Sequence, residues 1–240
     1  MTGFGKTDIG MKRKVNQDSM FCSNDPVGRL PNLYIVADGM GGHNAGDYAS
    51  RCAIDTMRDF IEGCDQDNPI TVLKYAIITA NRQVLKDAKN KAELRGMGTT
   101  VVCCVIKDGR LFVANMGDSR LYRIGANDIE QVTLDHSLVE ELIRSGQIER
   151  DRISTHPEKN IITRAVGAQE NVVPDFFEIE LKESDRVLLC SDGLYNMVED
   201  DEILDIVNEG HDIETTVDKL IKRANYYGGK DNIGIVLIGE

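Results

Sequence analysis

The chain has 240 residues, of which 41% are hydrophobic and 28% charged, so it is typical of a globular protein with one domain over residues 1–240. Its net charge of −12 disfavours nucleic acid as a partner, because nucleic-acid-binding proteins carry a basic face. The sequence has no apolar run long enough for membrane insertion and no visible secretory signal. Its six cysteines are not spaced as in zinc sites or disulfide frameworks. We therefore expect a cytoplasmic protein with reduced, mostly buried thiols.

The N-terminal part of the sequence predicts three short strands and then two helices. The strands are expected over residues 2–8, 19–23 and 33–37, with a polar loop before the second. Apolar residues spaced three or four apart predict helices over residues 47–62 and from Pro69 to about residue 94. A proline suits the first position of the second helix.

The remainder of the sequence is dominated by strands with hairpin signals such as Asp108-Gly109. Strands are predicted over residues 99–107, 111–115, 119–124, 129–133, 172–181, 186–190 and 232–238, and helices over residues 138–145, 201–208 and 213–226. The polar stretch 147–160 is expected to form a surface flap. Frequent hairpins and paired helices favour an α+β fold of antiparallel sheets with helices outside, rather than a Rossmann-type sheet.

Two apolar runs end in the same pair of residues, Asp followed by Gly. Residues 33–37 lead into Asp38-Gly39, and residues 187–191 lead into Asp192-Gly193. A carboxylate at the mouth of a buried strand is costly unless something pairs with it. Acidic residues also lie beside turn residues at Asp18, Asp118 and Asp231. Each of these residues alone would be interpreted as a turn former or a helix cap, whereas a converging set would need a hard cation such as Mg²⁺ or Mn²⁺.

The order of short motifs along the whole chain favours the second interpretation. The motifs are residues 13–18 (RKVNQD), 36–42 (VADGMGG), 96–100 (GMGTT), 115–120 (NMGDSR), 162–167 (ITRAVG), 191–194 (SDGL) and 230–232 (KDN). Each one alone is weak, but in this order and spacing the chain resembles the metal-dependent protein serine/threonine phosphatases of type 2C, in their compact bacterial form.

This resemblance implies a fold, a cofactor and a role for each candidate residue. The implied fold is a four-layer α-β-β-α sandwich of two antiparallel sheets flanked by helix pairs, with two Mn²⁺ or Mg²⁺ ions and a third, weaker position at the sheet edge. The implied metal ligands are Asp38 as the bridge, the carbonyl of Gly39, Asp192 and Asp231 at the first ion, Asp18 through water at the second, and Asp118 with Asp192 at the third. Arg13 would bind the substrate phosphate, because a guanidinium can hold two phosphate oxygens.

The resemblance also implies the reaction and the partners. A water that bridges the two ions would attack the phosphorus of phosphoserine or phosphothreonine in line, without a phosphoenzyme. The substrates would be phosphorylated proteins, including a cognate bacterial Ser/Thr kinase that this enzyme would oppose, and we expect a monomer. Many relatives carry a histidine as general acid where this chain has Met40, so the proton donor stays open. His43 lies nearby and is interpreted as a turn or helix-start residue.

Other polar residues have structural interpretations, and other functions remain as alternatives. His136 and His156 are expected at the surface, and Asp135 and Asp185 in ordinary turns. Arg164 either pairs with an acidic residue near the site or lies at a strand end, and we favour the strand end. A carboxylate-metal nuclease is disfavoured by the acidic balance, and a haloacid-dehalogenase-type phosphatase by the lack of a D-x-D motif at Asp38. A catalytically silent module on the same fold would have lost metal ligands.

Overall fold

A computed structural model of the protein describes residues 1–42, 45–149, 156–158 and 161–239; His43 and most of the predicted flap lie outside these residues. The strands are β1 (Thr2–Asp8), β2 (Asp18–Ser23), β3 (Leu33–Met40), β4 (Gly98–Thr99), β5 (Val101–Lys107), β6 (Arg110–Met116), β7 (Arg120–Ile124), β8 (Ile129–Gln131), β9 (Asp175–Glu180), β10 (Arg186–Cys190) and β11 (Ile233–Gly239). The helices are α1 (Ala45–Glu62), α2 (Pro69–Asn90), α3 (Leu138–Arg144), α4 (Asp192–Tyr195), α5 (Asp200–Asn208) and α6 (Ile213–Tyr226), with a 3-10 turn at Ala92–Leu94.

The strands form two antiparallel sheets. One sheet has the order β1-β11-β10-β7-β8, and the other has the order β2-β3-β5-β6-β9 with β4 added on β3. Strands distant in sequence therefore become neighbours, since β1 at the N-terminus pairs with β11 at the C-terminal end. This closure brings the first loop of the chain next to the last loop.

The two faces of each strand show how the layers are stacked. Ile35 in β3 packs in the cluster that contains α1 and α2, whereas its neighbour Val36 packs between the two sheets. In β10, Leu188 packs towards α5 and α6, and Leu189 packs between the sheets. Because successive side chains of a strand point to opposite faces, the order of layers is helix pair, sheet, sheet, helix pair. The predicted α-β-β-α sandwich is confirmed.

Differences from the predicted elements occur at the ends of long elements and in elements too short to have a period. The second helix begins at Pro69 as predicted, with the Asn68 side chain accepting from the Thr71 N–H, but it ends at Asn90 and is followed by the 3-10 turn. Strand β3 continues beyond the predicted residue 37, through Asp38 and Gly39, to Met40. The two-residue strand β4 and the one-turn helix α4 were not predicted. All six cysteines are free thiols; Cys103, Cys104 and Cys190 are buried and the other three partly exposed. In the described part of the chain, no helix has both the length and the apolar character for a membrane span.

Candidate active site at the strand ends

Asp18 and Asp38 are brought together by the register of β2 and β3, in which they lie directly opposite each other. Paired residues on adjacent antiparallel strands project from the same face of the sheet. The backbone of Asp38 is fixed by Thr100, whose side-chain oxygen accepts from the Asp38 N–H at 2.9 Å and whose own N–H donates to the Asp38 carbonyl at 2.8 Å. The first acidic pair is thus positioned by sheet hydrogen bonds and by a threonine of the GMGTT motif.

The glycines that follow Asp38 and Asp192 are required by close backbone contacts rather than by unusual dihedral angles. A Cβ atom at Gly39 would lie 1.9 Å from the carbonyl oxygen of Gly46 at the start of α1. A Cβ atom at Gly193 would lie 1.9 Å from the carbonyl oxygen of Asn232. The second contact places α4 against the segment before β11, and it therefore brings Asp192 next to Asp231.

Ser191 connects the two sheets at the same point. Its hydroxyl donates to Asp18 Oδ2 at 2.6 Å and accepts from the Gly234 N–H at 2.8 Å. Asp18 belongs to one sheet and Ser191 follows β10 of the other, so this bond fixes the distance between the two acidic strand ends. Sequence reasoning missed this role, although Ser191 directly precedes the Asp192-Gly193 pair.

Asp118 lies in the turn between β6 and β7 and is held by three neighbours. The next residue, Ser119, shares a hydrogen bond of 2.7 Å with Thr100, the residue that holds Asp38. The carbonyl of Asp118 accepts from the Tyr195 hydroxyl of α4 at 3.0 Å. Gly117 adopts φ +115°, and a Cβ there would lie 2.6 Å from Thr100 Cγ2. Asp118 is therefore tied both to the Asp38 strand and to the helix that begins with Asp192.

The prediction that His136 is a surface residue is wrong. Its side chain is buried, Nδ1 accepts from the Gly117 N–H at 3.0 Å, and Nε2 lies 3.1 Å from Asp175 Oδ2. Arg164 donates to the other oxygen of Asp175 at 3.0 Å and lies in none of the strands, so the favoured interpretation as a strand-end residue is wrong and the alternative, pairing with an acidic residue, is observed. The burial of His136 follows from these tertiary contacts.

The two aspartates interpreted as ordinary turn residues also have specific partners. Asp135 accepts from both Nε and Nη2 of Arg120, whose guanidinium in turn stacks 3.6 Å from the centre of the Tyr195 ring. Asp185 is buried and closes the turn that begins at Lys182, whose N–H donates to the Asp185 side chain at 2.9 Å, so it is a turn residue as predicted. Its other carboxylate oxygen lies 3.5 Å from Arg123 Nη1.

The acidic residues raise the pKa values of one another through electrostatic repulsion, as expected for a converging set. Burial raises the pKa of Asp18 to about 7, against the hydrogen bond from Ser191, which lowers it. Burial also raises the pKa of Asp118 to about 7, with Asp192 as the second cause. Desolvation and then Asp18 and Asp192 raise the pKa of Asp38 well above its ordinary value, with smaller contributions from Asp118 and Asp231. All five predicted aspartates therefore act on one site.

Desolvation and the neighbouring Asp231 raise the pKa of Asp192 to about 6, whereas Arg13 opposes this rise. Arg13 donates from Nη2 to Asp231 Oδ2 at 2.6 Å, and its side chain is 48% exposed. The one predicted basic residue of the site thus lies at its rim, with its guanidinium against a carboxylate and accessible to a ligand from solvent. Like charges held in this way favour a cation or a proton between them.

The site fits hydrated hard cations. Buried oxygens without a hydrogen-bond partner occur at Asp18 Oδ1 and Asp192 Oδ1, and a buried unpaired carboxylate oxygen is costly. Across the ranges that the structure describes, no group of three acidic, histidine or cysteine side chains is close enough to enclose an ion alone. Mg²⁺ typically keeps several waters and binds one or two carboxylates directly, so an open, all-oxygen arrangement suits it. An enclosed zinc-type site does not fit.

A groove elsewhere on the protein has different chemistry. Its volume is about 810 Å³, and it runs between α1 and α2, where Tyr48, Cys52 and Asp87 are among the lining residues. None of the five aspartates lines it. Burial raises the pKa of the Cys52 thiol to about 11, so a reactive thiolate is not available there. The chemistry is concentrated at the strand ends.

Comparison with known proteins is consistent with this geometry over the full chain. Residues 4–233 match the family described as "Protein phosphatase 2C". The serine/threonine phosphatase stp of Listeria welshimeri is 39% identical over 239 residues, which cover 97% of this chain and 93% of the relative. The crystal structure of Stp1 from Staphylococcus aureus has a TM-score of 0.92 at 36% identity, covering 99% of this chain and 94% of that one. The catalytic domain of PstP in complex with two manganese ions has a TM-score of 0.85 at 29% identity, covering 98% and 96%.

The fold, the acidic site and these similarities together define a metal-dependent protein serine/threonine phosphatase. The chain belongs to the protein phosphatase 2C family, as the motifs in the sequence predicted.

Proposed function

We propose that this phosphatase binds two divalent cations, Mn²⁺ or Mg²⁺, and a weaker third, through the five aspartates at the strand ends. Asp38 bridges the two stronger positions, and the Gly39 carbonyl joins it at one of them. Asp192 and Asp231 complete the first position, Asp18 binds at the second through water, and Asp118 shares the third with Asp192. Support comes from the raised pKa of Asp38, for which Asp18 and Asp192 are among the causes.

The reaction we propose is hydrolysis of phosphoserine and phosphothreonine by one direct displacement. When bound, the cations supply Lewis acidity that activates a water molecule for attack on phosphorus and offsets charge on the phosphate oxygens. Arg13 grips the phosphate from the solvent side, turning from Asp231, with which its guanidinium pairs at 2.6 Å. Ser191 and Thr100 keep Asp18 and Asp38 in place while the substrate binds.

The observation that carries this proposal is the pair of buried carboxylate oxygens, Asp18 Oδ1 and Asp192 Oδ1, for which the described residues provide no hydrogen-bond donor. We suggest crystals soaked in Mn²⁺, in which anomalous scattering counts and locates the ions. Two strong peaks beside Asp38 and a weaker one beside Asp118 are expected. Peaks away from the five aspartates, or none at saturating Mn²⁺, would refute the proposed ligand set.

We further propose that the protein acts as a single-domain monomer in the cytoplasm and reverses the work of a bacterial Ser/Thr kinase. Support comes from the similarity of this chain to bacterial serine/threonine phosphatases, among them the stp protein of Listeria welshimeri. Sedimentation at micromolar concentration should give the monomer mass. Deletion of the gene should raise phosphothreonine on the kinase and its targets, and an unchanged phosphothreonine level would count against the kinase as a partner.

A further inference from the structure

The loop between β1 and β2 is clamped at both ends by one side chain of the C-terminal segment. The Asn232 amide nitrogen donates to the carbonyl of Ile9 at 2.9 Å and to the carbonyl of Val15 at 3.0 Å. Its amide oxygen accepts from the Gln17 N–H at 2.9 Å. The 9–15 loop, defined by these two carbonyls, is thus held beside Asp231, the neighbour of Asn232.

The interior of the 9–15 loop is fixed as well. Gly10 adopts φ +76°, and a Cβ atom there would lie 2.2 Å from the carbonyl oxygen of Asp231. The Met11 N–H donates to the carbonyl of Gly229 at 2.8 Å. A surface loop that is held at so many points loses little conformational entropy when it binds a partner, and such preorganisation favours recognition.

The side chains that the loop displays contrast with the rest of the protein. Residues 11–15 are all exposed, and Met11 is 65% accessible to solvent. Lys12 and Lys14 flank Arg13, and neither has an ion-pair partner among the residues that the structure describes. On a chain with a net charge of −12, two unpaired cations beside the acidic site concentrate positive potential where a substrate enters.

We propose that Lys12 and Lys14 recognise acidic side chains close to the phosphorylated residue of a protein substrate. The inference rests on the proposed function, in which Arg13 holds the phosphate and the cations lie at the strand ends. With Arg13 engaged by the phosphate, the ammonium groups of its two neighbours reach the chain on either side of the phosphorylated residue. Exposed pairs of this kind contribute modestly to affinity and strongly to selection between substrates.

The experiment compares two phosphothreonine peptides, one with two Glu residues on each side and one with Gln in their place, and an aryl phosphate. We expect the wild-type enzyme to prefer the Glu peptide by about fivefold or more in kcat/KM, a preference that weakens as salt rises. Lys12→Glu/Lys14→Glu should remove or reverse this preference. The same variant should hydrolyse the aryl phosphate within about twofold of wild type, because that substrate lacks flanking residues.

A matched control is Lys74→Glu/Lys86→Glu, which changes the net charge equally but at exposed positions of α2 rather than in the 9–15 loop. The control should keep the peptide preference. The inference is overturned if wild type shows no preference for the Glu peptide, or if the preference survives Lys12→Glu/Lys14→Glu. In either case, hydrolysis of all three substrates would leave the proposed function standing. If Lys12→Glu/Lys14→Glu abolished binding of the protein to anionic vesicles but left the peptide kinetics unchanged, the loop would be a membrane-binding surface. That result would likewise overturn the inference. Failure of the proposed function would instead appear as Mn²⁺-independent or absent hydrolysis of every substrate.

Discussion

The space between the two sheets and the ends of the same strands differ in what they contain: the first is filled by apolar side chains, and the second gathers carboxylates that repel one another. Between the sheets, Val36 and Leu189 are fully buried among apolar neighbours. Two residues after Val36 the same strand carries Asp38, and three residues after Leu189 the chain reaches Asp192 at the start of α4. Burial raises the pKa of both carboxyl groups. The interior stabilises the fold by removing apolar surface from water, whereas the strand ends oppose it by holding like charges together.

The acidic residues are held by these strands or directly beside them: Asp18 and Asp38 lie in β2 and β3, whereas Asp118, Asp192 and Asp231 lie in the segments that adjoin β6, β10 and β11. Hydrogen bonds of the sheet and the Ser191 bond to Asp18 prevent the carboxylates from moving apart to relieve their repulsion. The free energy gained by burying apolar side chains between the sheets therefore offsets the repulsion between the carboxylates. It keeps them in the fixed arrangement that a cation site needs. If this view is right, changes at the strand ends should affect activity without reducing stability, and changes between the sheets should do the reverse.

The largest effect is expected at the strand ends from Asp38→Asn. Loss of the bridging charge should lower kcat for an aryl phosphate by about a thousandfold or more at saturating Mn²⁺. The metal-free variant should melt at or above the wild-type temperature at pH 8, because one buried charge is gone. Asp55→Asn in α1, at a residue with 61% side-chain exposure, serves as the control and should change neither quantity. Near-normal turnover would remove Asp38 from the cation site.

The matching change between the sheets is Leu189→Ala. Truncation of this fully buried side chain should reduce the free energy of unfolding by about 2–5 kcal/mol, measured by urea denaturation with Mn²⁺ present. The kcat of the folded fraction should stay close to wild type, because the strand ends are held by backbone hydrogen bonds. A large fall in kcat at unchanged stability would show that the two regions are not separable in this way.

The pH dependence of stability sharpens the comparison further. The pKa values of Asp18 and Asp118 are raised to about 7 and that of Asp192 to about 6, mainly by burial, whereas unfolded aspartates titrate near pH 4. Between these limits the folded, metal-free protein holds more protons than the unfolded chain. Its free energy of unfolding should therefore fall, by on the order of a few kcal/mol, as the pH rises from about 4 to about 8.

Urea titrations across that range, with a chelator and with excess Mn²⁺, would measure this trend. Bound Mn²⁺ should abolish most of the slope because it replaces the protons, and Asp118→Asn should reduce the slope of the metal-free protein. A metal-free protein that becomes more stable as the pH rises would contradict the assigned shifts.

The smallest effect is expected at the exposed rim, from Arg13→Ala. This change should raise KM for phosphopeptides by about tenfold, with the Mn²⁺ concentration for half-maximal activity nearly unchanged. The ion pair with Asp231 is partly exposed, so its loss should alter stability little. Arg13→Lys should restore part of the affinity. If Arg13→Ala instead raised the Mn²⁺ concentration for half-maximal activity and left the peptide kinetics normal, the role of Arg13 would be misassigned.

Local patterns predicted the long elements well. The run of apolar residues before Asp38 and the spacing of apolar residues from Pro69 onward correspond to β3 and α2, because burial on one face requires a period of two or of 3.6. Short pieces without a period, such as β4 and α4, were missed. Their conformation depends on contacts with distant backbone, such as Asn232 against Gly193.

The candidate ligands were recognisable in the sequence, but the residues that position them were not. Asp-Gly pairs at strand ends and the order of motifs singled out the five aspartates and Arg13. Ser191, Thr100 and His136 act through partners more than 18 residues away, for example His136 on Gly117. A hydroxyl or an imidazole has the same sequence signal whether it is exposed or buried, so only tertiary contacts distinguish the two cases.

By itself, then, the sequence determined the positions of the longer strands and helices, the two Asp-Gly pairs that follow apolar runs, and the family, because local periodicity and ordered motifs are properties of the chain in one dimension. Only the tertiary structure decided that Asp18 faces Asp38, that Ser191 links the sheets, and that Asn232 clamps the 9–15 loop. These contacts form because β1 pairs with β11 and β2 with β3, and strand pairing joins residues without regard to their separation along the chain.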